Sequence, residues 1–221
     1  MMSLKKLLLV TILIISFSTT YAQRNYDDYN KLGFQGGISL FDINTSNFVT
    51  EQRTGFGGGF TTRGAFRNNF DLIYGITFFS NKVGIFGSEN GLGAKRQAIS
   101  YNIPNVQLNF LGSYNIVKHH FSIEFGPILN INGNMKLDSE RLENYILDGY
   151  NTLRAQDIED INPVNFHVMG GATVGLESFR LSAQYQYGVT NMLNKLNDQN
   201  IEGEDFKGNS ATIVVMAVVY F

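Results

Sequence analysis

Acid–base or metal chemistry near neutral pH would fall first to the three histidines, His119, His120 and His167. His119 and His120 sit with Lys118 in a short polar run between two alternating stretches, which reads as a solvated turn rather than a metal pair. His167 lies on the polar side of an alternating stretch, opposite Phe166 and Val168. The sequence places no serine and carboxylate beside it to complete a nucleophilic triad. The run Gly55 to Gly59 lacks the spacing and the following helix of a phosphate loop, so small residues that ease strand curvature account for it. Asp198-Gln-Asn200-Ile-Glu202-Gly203 copies the first half of a calcium loop, but Asn209 stands at the twelfth position, where a bidentate glutamate is required. The expectation is therefore no catalytic residue, no cofactor and no metal site.

The elements that would carry these residues are strands. Alternation at period two runs through residues 32–40, 56–66, 70–78, 106–114, 121–129, 166–176, 179–189 and 210–221. In the last of these Ala211, Ile213, Val215, Ala217 and Val219 make one apolar face, and Phe221 ends the run. The polar segments between the strands are 42–54, 67–69, 80–100, 118–120, 132–165, 177–178 and 191–207, alternately long and short. A soluble sandwich has no reason for that asymmetry, whereas a barrel with brief inner turns and extended outer loops does.

Aromatic residues on the apolar parity support the same reading. Phe66, Phe70, Tyr114, Phe121, Phe179 and Phe221 fall at the short-turn ends and predict an inner girdle. Phe56, Phe78, Tyr101, Phe166 and Tyr187 predict an outer one. The lipid face should include Gly58, Ile76, Leu108, Ile123, Val174, Leu181 and Val215 near mid-depth.

Lys5 and Lys6, an apolar run over 7–17 and small residues up to Ala22 form a secretory signal. The apolar run, about 11 residues, falls short of the ~20 that a spanning helix needs. Domain 1–22 is thus a signal peptide, and 23–221 is one barrel domain. Without cysteine there is no lipoprotein anchor, disulfide or thiolate metal site. Removing the signal takes 2 of 17 basic residues and none of the 19 acidic ones, which leaves a net charge of −4 and makes nucleic acid a poor partner. The expected fold is all-β, an eight-stranded antiparallel up-and-down transmembrane barrel in the bacterial outer membrane, embedded in its lipid.

Leu32-Gly-Phe-Gln-Gly-Gly-Ile-Ser-Leu40, Ile103-Pro104, Gly126-Pro127 and Tyr185-Gln-Tyr-Gly-Val-Thr-Asn191 resemble recurrent motifs of the PorT-like outer-membrane β-barrel family. The resemblance covers almost the whole chain after the signal. Where that family often has Arg before Tyr-x-Tyr-Gly, this chain has Gln184. The resemblance implies a barrel fold, handling by the barrel assembly machinery with Phe221 as the assembly signal, and a link to type IX secretion for one similar protein.

Inside such a barrel, Arg63, Asp71, Glu124 and Arg180 share the inward parity near the inner end of their strands. Two charges of each sign should pair, Arg63 and Arg180 with Asp71 and Glu124, and plug the lumen together with Gln107 and Asn109. In the third outer loop Leu142, Tyr145, Ile146, Gly149 and Leu153 recur near helical spacing, so a short amphipathic helix across the mouth or a solvated coil is expected over 138–160. A protein partner would meet the outer loops 132–165 and 191–207. Three function classes follow: a structural or docking barrel without catalytic activity, a narrow channel or small-ligand carrier, and a lipid-modifying enzyme.

Overall fold

The computed structural model describes residues 29–89 and 95–221; the signal peptide over 1–22 lies outside the described residues. Ten strands follow one another as β1 (Asn30–Thr45), β2 (Thr50–Arg67), β3 (Phe70–Ser88), β4 (Gln97–Val117), β5 (Phe121–Asn132), β6 (Lys136–Leu137), β7 (Ile146–Leu147), β8 (Val164–Gly175), β9 (Phe179–Gly188) and β10 (Gly208–Tyr220). The eight long strands pair antiparallel with their neighbours, and β10 pairs with β1 from Gly33↔Tyr220 to Thr45↔Gly208. The ring is closed, so it has no edge for another strand to join.

The predicted alternation matches the faces. Phe34, Ile38, Phe60, Tyr74, Ile76, Leu108, Phe110, Ile123, Val174, Leu181, Val215 and Val219 all point outward and are exposed. Ile123, Val174 and Leu181 lie within three residues of the inner turns, not at mid-depth. The inner turns are tight: Asn68-Asn69, Lys118 to His120, and Leu176 to Ser178. Asn68 and His119 take positive φ angles, 53° and 64°, in the left-handed region that Asn and His tolerate better than most side chains.

Two outer segments read as polar loops are mostly strand. β1 and β2 leave only Ser46 to Val49 between them, and β3 and β4 run on to Ser88 and from Gln97. The reason is a switch of apolar parity. In β1 the exposed apolar residues are Leu32, Phe34 and Ile38, but further out the apolar residues are Phe41 and Ile43, which are buried. The same change takes β3 from Phe78 to Val83 and Ile85, and β4 from Leu108 to Ile103, Tyr101 and Ile99. The strand continues without a slip while its greasy side turns from outward to inward. Tyr101 therefore belongs to a buried core and not to the outer girdle; its hydroxyl donates to Ala155 O at 2.9 Å.

That core lies above the lumen. The loops between β5 and β8 and between β9 and β10 bring Met135, Leu153, Ile158, Leu193, Leu196 and Phe206 onto the projecting strands. The third loop is neither an amphipathic helix nor solvated coil. It holds two 3-10 turns, Glu140–Leu142 and Ala155–Ile158, and the strands β6 and β7, which pair with β4 and β3. Leu147, Leu153 and Ile161 are buried by this arrangement, and hydrogen bonds to strand edges and turns replace those a helix would have made.

Candidate functional site

The inward faces of the ring stack in layers from the inner to the outer mouth. At the inner end Arg63, Asp71, Glu124 and Arg180 are all buried, about 2–3% exposed. Arg63 Nη1 donates to Asp71 Oδ2 and to Ser113 Oγ, each at 3.0 Å, and its Nη2 donates to Glu124 Oε1. One guanidinium thus serves both carboxylates. Arg180, expected to share them, makes no ion pair within 4 Å among the described residues, and its Nε and Nη1 have no hydrogen-bond partner. The cause is reach: Asp71 and Glu124 flank Arg63 through β3, β4 and β5, whereas Arg180 enters from β9 opposite Val218 and Gly175.

Above the charges come two apolar clusters, Ile73, Leu111, Ile128 and Met169, and Phe79, Val214 and Met216. Polar bridges cross between them: Gln35 to Thr77 at 2.6 Å, Gln107 to Gln186 at 3.0 Å and Ser39 to Asn81 at 2.6 Å. Among the described residues Asn109 Oδ1 has no hydrogen-bond partner. Gln184, standing where the PorT-like pattern often has Arg, donates to Ser182 Oγ at 3.0 Å and accepts from Gln186 at 3.3 Å. A cavity of about 20 Å³ lies between Gln35, Asn109, Glu124, Thr173, Ser182 and Tyr220. That is room for about one water molecule, not for a ligand or an ion path.

Near the outer mouth His167 is buried, with Nε2 at 3.1 Å from both Asn130 Nδ2 and Ser210 Oγ. The sequence could not place a serine there because Ser210 sits two strands away and more than forty residues on. Ser210 and His167 make a pair inside the lumen under the cap, and among the described residues no carboxylate is hydrogen-bonded to either. His119 and His120 occupy the inner turn as expected, where His120 Nδ1 meets Gly175 O at 2.9 Å.

The cap is locked by one side chain that sequence reading assigned to half a calcium loop. Glu202 accepts from the backbone amides of Asn151, Thr152 and Leu153 and from the Thr152 hydroxyl at 2.7 Å. The Thr152 hydroxyl first, then the Asn151 and Thr152 amides, hold the Glu202 carboxyl down to about 2. The outer loops are also joined by Lys195 to Asp160 at 2.5 Å and by the stacked rings of Phe48 and Phe206, 5.7 Å apart. At the other end Phe221 is exposed; its amide donates to Leu32 O at 2.9 Å and its ring lies 5.5 Å from that of Phe34.

A closed ring whose outside is apolar can satisfy every strand hydrogen bond within lipid and keep its buried polar and charged side chains inside. Such antiparallel barrels are proteins of the bacterial outer membrane. This chain has that fold.

No protein-family model matches the chain, and no curated protein sequence does. Among solved structures it is similar to Neisserial surface protein A, at 11% identity and a TM-score of 0.45 over 86% of this chain and 97% of that one. Ail of Yersinia pestis gives 11% and 0.46 over 87% and 99%, and OprG of Pseudomonas aeruginosa 12% and 0.48 over 88% and 97%. The eight-stranded fold follows from the chain's own strand registers rather than from these likenesses.

Proposed function

We propose that this outer-membrane barrel does not conduct and does not catalyse, and that it serves as a rigid docking element for other envelope proteins through its outer cap. The observation that carries this reading is the layered lumen: the Arg63 ion pairs, two apolar clusters and a hydrophobic cap follow one another, and the cavity beside Asn109 and Glu124 holds only about 20 Å³. The cap supplies an ordered surface over 133–163 and 189–207, and preorganised loops lose less entropy on binding than mobile ones. The motifs similar to the PorT-like family favour envelope or secretion components as the partners, and Phe221 at the inner rim is the residue offered to the assembly machinery. The Ser210–His167 pair is read as structural, since lipid cannot reach it through the barrel wall.

Purified protein reconstituted in planar bilayers should give no steady current, and crosslinking in intact cells should capture envelope proteins from positions on the two outer loops. A well-resolved single-channel conductance would replace this reading with a channel. Release of lipid fragments by the wild type but not by Ser210→Ala would replace it with an enzyme.

A further inference from the structure

Just above the outer end of the lipid-facing belt, basic residues gather on one side of the barrel. Lys82 on β3, Asn102 on β4 and Lys136 on β6 lie side by side in register, four residues beyond the last exposed aromatic of β3, Phe78. Arg53 joins them from β2. The pairing of β2 with β3 is interrupted between Gln52 and Phe56, and such a bulge re-aims a side chain. Although Arg53 stands opposite the inward-facing Phe41, its guanidinium lies on the outer surface of β3 over Gly84. A Cβ at position 84 would come within 2.8 Å of Arg53 Nε and 3.1 Å of Glu51 Oε2, so glycine is what lets the arginine lie flat there. The outer ends of β1, β5, β8, β9 and β10 carry no Lys or Arg.

The cluster is held in place yet keeps donors to spare. Arg53 Nη2 bonds Glu51 at 3.0 Å, Lys82 Nζ bonds Asp138 at 2.8 Å, and Ser100 steadies the same Asp138 oxygen at 2.7 Å. Among the described residues Arg53 Nε is shielded and has no hydrogen-bond partner. A guanidinium offers five N–H donors and an ammonium three, so donors beyond the shielded Arg53 Nε–H and those given to Glu51 and Asp138 remain on Arg53 and Lys82. Together with Gln52 and Thr54 these side chains line an open cleft of about 470 Å³. Two cations and two carboxylates line the cleft, and Lys136 stands beside it on the far side of Asn102, with the Glu159 carboxylate bonded to Leu137 N next to it.

We propose that this cleft holds the phosphorylated sugar headgroup of an outer-leaflet glycolipid, with Arg53, Lys82 and Lys136 on its phosphate and Glu51, Asp138 and Ser100 toward its hydroxyls. Height selects a lipid over a soluble anion: the acyl chains of a headgroup seated there run down over Phe56 and Phe78. The mixed signs suit a headgroup that carries both acceptors and donors. The inference rests on the outer-membrane placement and adds a ligand to it.

The test is native mass spectrometry of the full-length protein, released from detergent micelles after incubation with bisphosphorylated lipid A, its dephosphorylated form, or inorganic phosphate. The wild type should retain the bisphosphorylated lipid, and Arg53→Gln/Lys82→Gln/Lys136→Gln should weaken retention about tenfold or more. Arg67→Gln, exposed at the inner end of β2, should leave it unchanged. Heat-modifiable migration checks that the triple variant is folded; if it is not, Lys136→Gln alone and the loss of wild-type retention with rising salt carry the test. Equal retention by wild type and triple variant, or of the dephosphorylated lipid, overturns the proposal. Displacement of the lipid by inorganic phosphate at equal concentration reduces the cleft to a plain anion site and overturns it too. Membrane fractionation reports separately on the placement itself.

Discussion

Ser210 lies 3.1 Å from His167 because Gly188, directly opposite His167, stands at their meeting point without a side chain. A Cβ on Gly188 would sit 2.5 Å from Ser210 Oγ and 3.3 Å from His167 Nε2. The glycine of the Tyr-x-Tyr-Gly motif is thereby a close-approach residue, chosen for what crosses it. Gly188→Ala should destabilise the barrel by about 1–3 kcal/mol, the usual cost of overpacking. Ser210→Ala in the same chain should recover part of that loss, because the two changes share one contact. Urea unfolding in lipid vesicles of the two single variants and the double variant measures the coupling, and strict additivity would refute the close-approach role.

The inner charges predict an asymmetry between two arginines. Arg63→Met leaves two buried carboxylates without their hydrogen-bonded cation and should cost about 3–5 kcal/mol. Arg180→Met removes a guanidinium that makes no ion pair among the described residues and fills its place with apolar bulk, so stability should stay the same or rise. The same unfolding assay ranks the two variants, and equal losses would mean that Arg180 carries an ion pair in solution.

The outer cap should loosen in acid through Glu202. Its folded pKa, about 2, is depressed below the ordinary glutamate value, so its contribution is complete above the unfolded pKa and is lost as pH falls from about 4.5 toward 2. Amide hydrogen exchange at Thr152 and Leu153 should accelerate across that window after correction for intrinsic rates. In Glu202→Gln the amides should already exchange fast and show no such step.

Depth should grade the lipid face. Leu108, opposite Ile76 in the middle of the belt, should tolerate Arg at a cost of about 2–4 kcal/mol, whereas Leu176→Arg in the inner turn should cost about 0–1 kcal/mol. Similar costs at the two positions would mean that the belt is not the lipid face.

Legibility was high wherever a property depends on period alone. A strand turns each successive side chain to the opposite face, so alternation in 32–40 or 70–78 determined the faces and, with the short inner turns, the eight-stranded ring. The inward parity of Arg63, Asp71, Glu124 and Arg180 was equally determined, since parity does not depend on neighbours. Which arginine meets which carboxylate was decided only by tertiary structure, because a hydrogen bond depends on shear between strands and on side-chain reach. The outer half shows the same division. The parity switch at Phe41 and Val83 is written in the sequence, yet with no hydrophobic surface in view those residues look like the start of polar loops. Leu153, Ile158, Leu196 and Phe206 give them a core to face. Their burial needs contacts between segments more than fifty residues apart, which no local pattern encodes.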